Sequence, residues 1–130
     1  MAALSDYAEK LVLDWLLTTG AATRPTTWYV ALYTSAPNDA GGGTEVSGFG
    51  YARQAVTFGA GSSPGGTSSN TGIISFTAAG GSFGTVTHIA ILDASSAGNF
   101  IASGELTVSK VVSDGDSLAF DTATLIITIA

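Results

Sequence analysis

Beyond Gly20 the chain carries its apolar residues only in short β-branched and aromatic runs, each closed off by a cluster of Gly, Ser, Thr, Pro or Asn. Runs this short cannot present a continuous helical face, whereas alternation along them buries one side of a strand. The predicted strands are 27–34, 51–58, 72–77, 85–93, 100–109, 117–120 and 124–130. Seven short strands in about a hundred residues define a mainly β fold, an antiparallel sandwich of jelly-roll or immunoglobulin-like type or a small barrel. The connections fit: 36–43 and 59–66 are punctuated by Pro and Gly as exposed loops, and 95–99 and 113–116 carry Gly where hairpin turns need a positive φ.

The one region with a helical period lies ahead of this. Leu4, Ala8, Leu11, Val12, Trp15 and Leu16 recur at three- and four-residue spacing and share one face, predicting an amphipathic helix over 4–19. Ser5 suits the N-cap, Asp6 and Glu9 offset the exposed N–H dipoles of the first turn, and Gly20 suits the stop. At 130 residues the chain is read as a single domain, 1–130, with the helix in 1–20 and the sandwich in 27–130.

Charge narrows the function. Only 11% of residues are charged, against about 25% in an average domain, so the surface is finished with Ser, Thr, Gly and backbone. Uncharged surface is cheap to desolvate and suits packing against neighbours. The net charge is −6 and the four basic residues Lys10, Arg24, Arg53 and Lys110 are scattered, which argues against a surface that tracks phosphates and against direct nucleic-acid binding. With no cysteine there is no disulfide and no thiolate metal site. No apolar run approaches the roughly 18–20 residues that span a bilayer, and the first residues lack a basic leader region, so no membrane partner is expected and the protein is expected to stay in the cytoplasm where it is made.

Candidate chemistry is sparse. His88 is the single histidine and lies inside a predicted strand, without a second ligand type or a Gly-x-Ser-x-Gly nucleophile turn, so it is read as a hydrogen-bonded sheet residue. Asp114 and Asp116 alternate as calcium ligands do but lack the rest of a calcium loop, and are read as caps of their own turn. Asp39 and Glu45 are read as solvated loop charges. Gly48-Phe49-Gly50 runs into a strand with no following helix, which fits a turn and not a phosphate cradle. Trp28, Tyr29, Tyr33, Phe49 and Tyr51 could stack on a carbohydrate, but alternation places Trp28, Val30 and Leu32 on one face and Tyr29, Ala31 and Tyr33 on the other, as two packed faces require. Arg53 stands out inside a strand of a charge-poor chain. It can fix a loop or a subunit contact by a bidentate bond to an acid such as Glu45. No catalytic residue, metal or cofactor is assigned.

The segments Trp28-Tyr-Val-Ala-Leu-Tyr-Thr-Ser-Ala-Pro37 and Gly43-Thr-Glu-Val-Ser-Gly-Phe-Gly-Tyr-Ala-Arg-Gln-Ala-Val-Thr-Phe58 resemble a family of small tailed-phage virion proteins, labelled tail fibre or structural proteins. Similarity extends to 4–14 and 83–93, and Gly48-x-Gly-Tyr-Ala-Arg53 is its most specific part. The resemblance implies a non-enzymatic particle component. Two roles follow as expectations: a capsid decoration or cement subunit on the major capsid protein, as a homo-oligomer with a trimer favoured, or a tail or tail-fibre module presenting 37–43 and 59–66 as receptor-binding loops. As a decoration subunit the chain is expected to dock through the helix, the alternative being that the helix folds over an open end of its own sandwich; the predicted interface comprises Leu4, Tyr7, Leu11, Trp15, Leu16 and Arg53.

Overall fold

The computed structural model describes residues 3–128. The chain runs through β1 (Ala3–Leu4), α1 (Asp6–Leu17), β2 (Tyr29–Ser35), β3 (Thr44–Glu45), β4 (Gln54–Ala55), β5 (Thr67–Ser69), β6 (Ile74–Thr77), β7 (Gly84–Leu92), β8 (Phe100–Val112), β9 (Ser117–Phe120) and β10 (Ile126–Thr128). It is mainly β with one N-terminal helix, as the sequence predicts, and every strand pairing is antiparallel.

The helix is shorter than its apolar spacing suggests. Ser5 is the N-cap, accepting the Ala8 N–H at 3.2 Å, so the residue before it is extended and Leu4 belongs to β1, paired with Ala102. At the other end Thr18, not Gly20, closes the helix in an extended conformation, and its Oγ1 donates to the Asp14 carbonyl at 2.7 Å. Ser5 also ties the helix to the sheet, since its N–H donates to Ile101 O at 2.7 Å and its hydroxyl donates to Phe100 O.

Six strands form one sheet in the order β1-β8-β7-β2-β3, with β4 also on β2. The ribbons β6-β9 and β5-β10 form the facing layer. Val30, Leu32, Ile89, Ile91, Ala102 and Val112 of the large sheet pack against Ile74, Phe76 and Leu118 of the β6-β9 ribbon, with Val46, Val56 and Leu125 closing the sides. Tyr51 stacks on Phe76 at 6.1 Å and meets Phe83 edge-on at 5.7 Å. A bulge between Val86 and His88 shifts the alternation of β7, so that Val86, Ile89 and Ile91 all face this core. The opposite face of the sheet carries a second cluster of Ala31, Tyr33, Ala90 and Leu92 with Phe100 against it. Both faces of β2 are thus packed.

Several predicted elements change. The run 51–58 is a strand only over β4, with an isolated bridge from Phe58 to Asn70, because Tyr51 and Arg53 are committed to the contacts described below. β1, β3 and β5 fall outside the predicted strands; β3 and β5 are wholly polar and owe their form to β2 and β10. The predicted strand 124–130 is β10 over its described part, with 129–130 outside the described residues. The turn 93–99 joins the paired strands β7 and β8 as a hairpin, whereas 113–116 carries the chain from β8 across to β9 in the other layer, so it is not a hairpin turn. Gly98 and Gly115 supply the positive φ in these turns, at +83° and +85°.

Candidate functional site

The segment 44–53 builds one wall of the candidate site. β3 pairs with Tyr33 and Ser35 and β4 with Tyr29 and Val30, so the two short strands lie end to end along one edge of β2. Between them the chain leaves the edge after Val46 donates to Leu32 O at 2.9 Å. It then reverses through Gly48, Phe49 and Gly50, all with left-handed φ of 77°, 54° and 78°. Phe49 is a non-glycine residue in that region, held there by the bond from Ala79 N–H to its carbonyl at 2.8 Å and by its ring lying over Gly81.

The return places Tyr51 where the missing strand would be. Its hydroxyl accepts the Leu32 N–H at 3.1 Å and donates to Glu45 Oε2 at 2.6 Å. Arg53 completes the arrangement: Nε and Nη2 each donate to Glu45 at 2.8 Å, and Nη1 donates to Ala94 O and Ala97 O at 2.9 and 2.8 Å in the β7–β8 turn. The Arg53 side chain is only 9% exposed. Glu45 is therefore no solvated loop charge, contrary to one reading of the sequence, and is the partner suggested for Arg53 by the other. Burial pushes its carboxyl pKa up, but the hydrogen bonds from Arg53 and Tyr51, with the guanidinium charge, outweigh this and hold it below the usual range. Burial and the bond to Glu45 raise the Tyr51 phenol, and the bond to Glu45 raises Arg53 further.

Beside this wall lies an open groove of about 470 Å³. Tyr33, Leu92 and Phe100 line its base, Asp6 and Tyr7 of α1 form one side, and Asp39–Gly42 with Ala97–Asn99 form the rims. Asp6 N–H donates to Asp39 O at 3.1 Å and fastens the helix start to the loop. Tyr33 is 6% exposed, and burial followed by the nearby Glu45 charge raises its phenol pKa. Among the described residues its hydroxyl has no hydrogen-bond partner, nor have the carboxylates of Asp6 and Asp39.

The third feature is the far half of α1. Of the helix only Ala8 is buried, while Leu13, Trp15, Leu16 and Leu17 are 54, 70, 62 and 75% exposed. Leu11, Val12 and Trp15 meet the returning chain at Ala22 and Arg24. The structure thus separates the predicted interface residues. Leu4 packs on the main core, Tyr7 lines the groove, Leu11 is half-buried, Trp15 and Leu16 are open, and Arg53 is tied down within its own chain.

The remaining candidates are engaged locally. His88 Nδ1 lies 2.8 Å from Thr87 Oγ1, and Nε2 is 3.9 Å from Glu105 on the neighbouring strand. Asp116 accepts the Ser113 N–H at 3.1 Å and caps its own turn, whereas Asp114, also read as a cap of that turn, instead accepts the Gly80 N–H at 2.9 Å and ties the turn to the loop ahead of β7. Among the described residues no three His, Asp or Glu gather as metal ligands, and no helix is long and apolar enough to cross a membrane. Sequence reasoning missed Asn70, a buried side chain that donates to Gly72 O and Asp121 O and accepts from Leu125 N–H at 2.8–2.9 Å. Its only signal is an Asn at the end of a polar run.

Residues 3–128 match the model of the family described as podophage GP4 fiber I protein gp80. The chain belongs to this family. It is a phage fibre structural protein and a virion component, in keeping with the resemblance carried by Gly48–Arg53. In the structure Gly48–Arg53 is the segment that replaces the missing strand and binds the β7–β8 turn. No curated protein matches the chain.

Proposed function

We propose that the chain is a tail-fibre-associated structural subunit, without enzymatic activity, that docks on another virion protein through the open half of α1. The observation that carries this reading is the exposure of Leu13, Trp15, Leu16 and Leu17 on a helix whose base is fastened to the sheet. Burying each such side chain contributes about 1.5–3 kcal/mol, and many copies on one particle multiply modest contacts. The chain's own core does not take up Trp15 or Leu16. The fibre description of the family supports a tail position over the capsid-decoration role expected from sequence.

Removing residues 1–19 would also remove β1 and the Ser5 junction, so substitutions are the cleaner test. A phage lacking its own copy is complemented with the wild-type chain or with Trp15→Ser/Leu16→Ser, and purified particles are probed by immunoblot and immunogold. The expected result is wild-type label on the tail and a variant that folds with an unchanged urea midpoint yet is missing from particles. Gold on the head shell, or full incorporation of the variant, would overturn the proposal. A wild-type trimer in solution that the variant loses would reassign the helix's occupant to further copies of this chain.

A further inference from the structure

The groove between the far half of α1 and the returning chain is lined by Leu11, Val12, Trp15, Ala22 and a single charged residue, Arg24. We propose that the virion protein docking on this helix presents an acidic side chain to Arg24, next to an apolar side chain that enters the groove. The inference rests on the reading of α1 as a docking element and names the chemistry of its partner.

Charge supplies the first argument. The chain has four basic residues in a net charge of −6. Lys10 is paired with Asp14 and Arg53 with Glu45. Among the described residues no carboxylate lies within ion-pair distance of Arg24 or Lys110, and of these two it is Arg24 that lines the groove. Asp14, the one acid in the second half of α1, is spent on Lys10. Arg24 is exposed, so its planar fork is open to a bidentate bond with an incoming carboxylate. A partner with a basic rim would set like charges against each other. Shape supplies the second argument. The groove holds about 200 Å³, below the roughly 300–1,000 Å³ of a small-molecule site, and apart from Arg24 its lining residues are apolar. It suits one side chain of a protein and not a free ligand. Trp15 stands open beside it, and Leu13, Leu16 and Leu17 extend the apolar surface along the helix. Covering that surface takes water away from Arg24 as well, which strengthens its attraction for a carboxylate relative to a pair on an open surface. The partner is thus recognised at two points: the apolar contact supplies most of the affinity, and the charge sets orientation and excludes basic competitors.

The test uses whole particles. A phage lacking its own copy is complemented with the wild-type chain, Arg24→Lys, Arg24→Glu or Trp15→Ser/Leu16→Ser, each checked for an unchanged urea midpoint, and incorporation is read by immunoblot of purified particles. Arg24→Lys keeps the charge without the fork and should incorporate within about threefold of wild type. Arg24→Glu sets acid against acid and should fall about tenfold or more. Particles carrying Arg24→Lys are then treated with a water-soluble carbodiimide, which joins an amine to a carboxylate as an amide while taking up the water released. Mass spectrometry of the linked peptides should place the new amine at position 24 on an Asp or Glu of another virion protein, a link that the wild-type guanidinium does not form. Loss of Trp15→Ser/Leu16→Ser from particles alongside full incorporation of Arg24→Glu would leave the helix as the docking element and overturn the acidic partner. A link from position 24 only to a further copy of this chain, or no link, would overturn it too. Full incorporation of Trp15→Ser/Leu16→Ser would instead remove the docking role of the helix itself.

Discussion

The Tyr51 hydroxyl lies 3.1 Å from the Leu32 amide nitrogen and takes the place of a strand that is not there. Leu32 is fully buried, so its N–H has no access to water and depends on this one oxygen. Tyr51→Phe is therefore expected to cost about 1–3 kcal/mol, the penalty for stranding a buried donor. Tyr33→Phe removes a hydroxyl from the same region that bonds to nothing described, and should change stability by less than about 0.5 kcal/mol. Urea denaturation of the two variants side by side measures the contrast; equal losses would refute the role given to Tyr51.

Arg53 joins Glu45 to the β7–β8 turn through both ends of a planar fork. Arg53→Ala leaves the carboxylate and two turn carbonyls without their donors and should cost about 2–3 kcal/mol, below the range for a fully buried pair because Glu45 keeps some contact with water. Arg53→Lys should recover less than half of this, since an ammonium cannot reach both partners with the same geometry. Full rescue by Lys in a urea midpoint would reduce the interaction to simple charge.

Acid should loosen the same contact. The Glu45 pKa is depressed in the folded state, so its contribution is complete above the unfolded value of about 4.3 and is lost as pH falls through the folded value. Glu45→Gln should be less stable than wild type at neutral pH and should show a flatter decline between about pH 5 and pH 3. At the alkaline end the raised phenols of Tyr51 and Tyr33 favour the folded state until pH passes their ordinary value of about 10, above which stability falls. Urea midpoints across pH measure both limbs, and parallel acid limbs for wild type and Glu45→Gln would refute the assignment.

Asn70 holds three backbone groups from 72, 121 and 125 with one amide. Asn70→Asp keeps the shape but turns its NH₂ into an oxygen facing two carbonyls, so it should destabilise more than Asn70→Ala at neutral pH, by about 1 kcal/mol or more beyond it. Thermal melts of the two variants test the order, and the reverse order would mean that cavity formation outweighs polar mismatch.

How much of this is legible in the sequence depends on the distance over which each feature is determined. The helix, its Ser5 cap and the long strands β7 and β8 are local patterns of period 3.6 or 2, and the sequence shows them. Leu4 fits the helical spacing but precedes the cap, so capping overrides periodicity. Thr67-Ser68-Ser69 has no apolar signal and becomes a strand only because β10 lies alongside. The Arg53–Glu45 bond is suggested by an arginine inside a strand of a charge-poor chain. The groove is not legible, because Tyr33, Tyr7, Asp39 and Phe100 come from four segments that only the sheet order brings together.

The Ser5 junction has a mechanical consequence. Ser5 bonds to the carbonyls of Phe100 and Ile101 at the start of β8, and β1 pairs with the next two residues. A pull on the projecting end of α1 is therefore delivered into the longest strand of the molecule. β8 is held along its length by β7, so a load directed along the strand is shared among many hydrogen bonds at once, while a load directed across the sheet opens them singly from the Phe100 end. The subunit is built to carry tension in one direction and to yield in another.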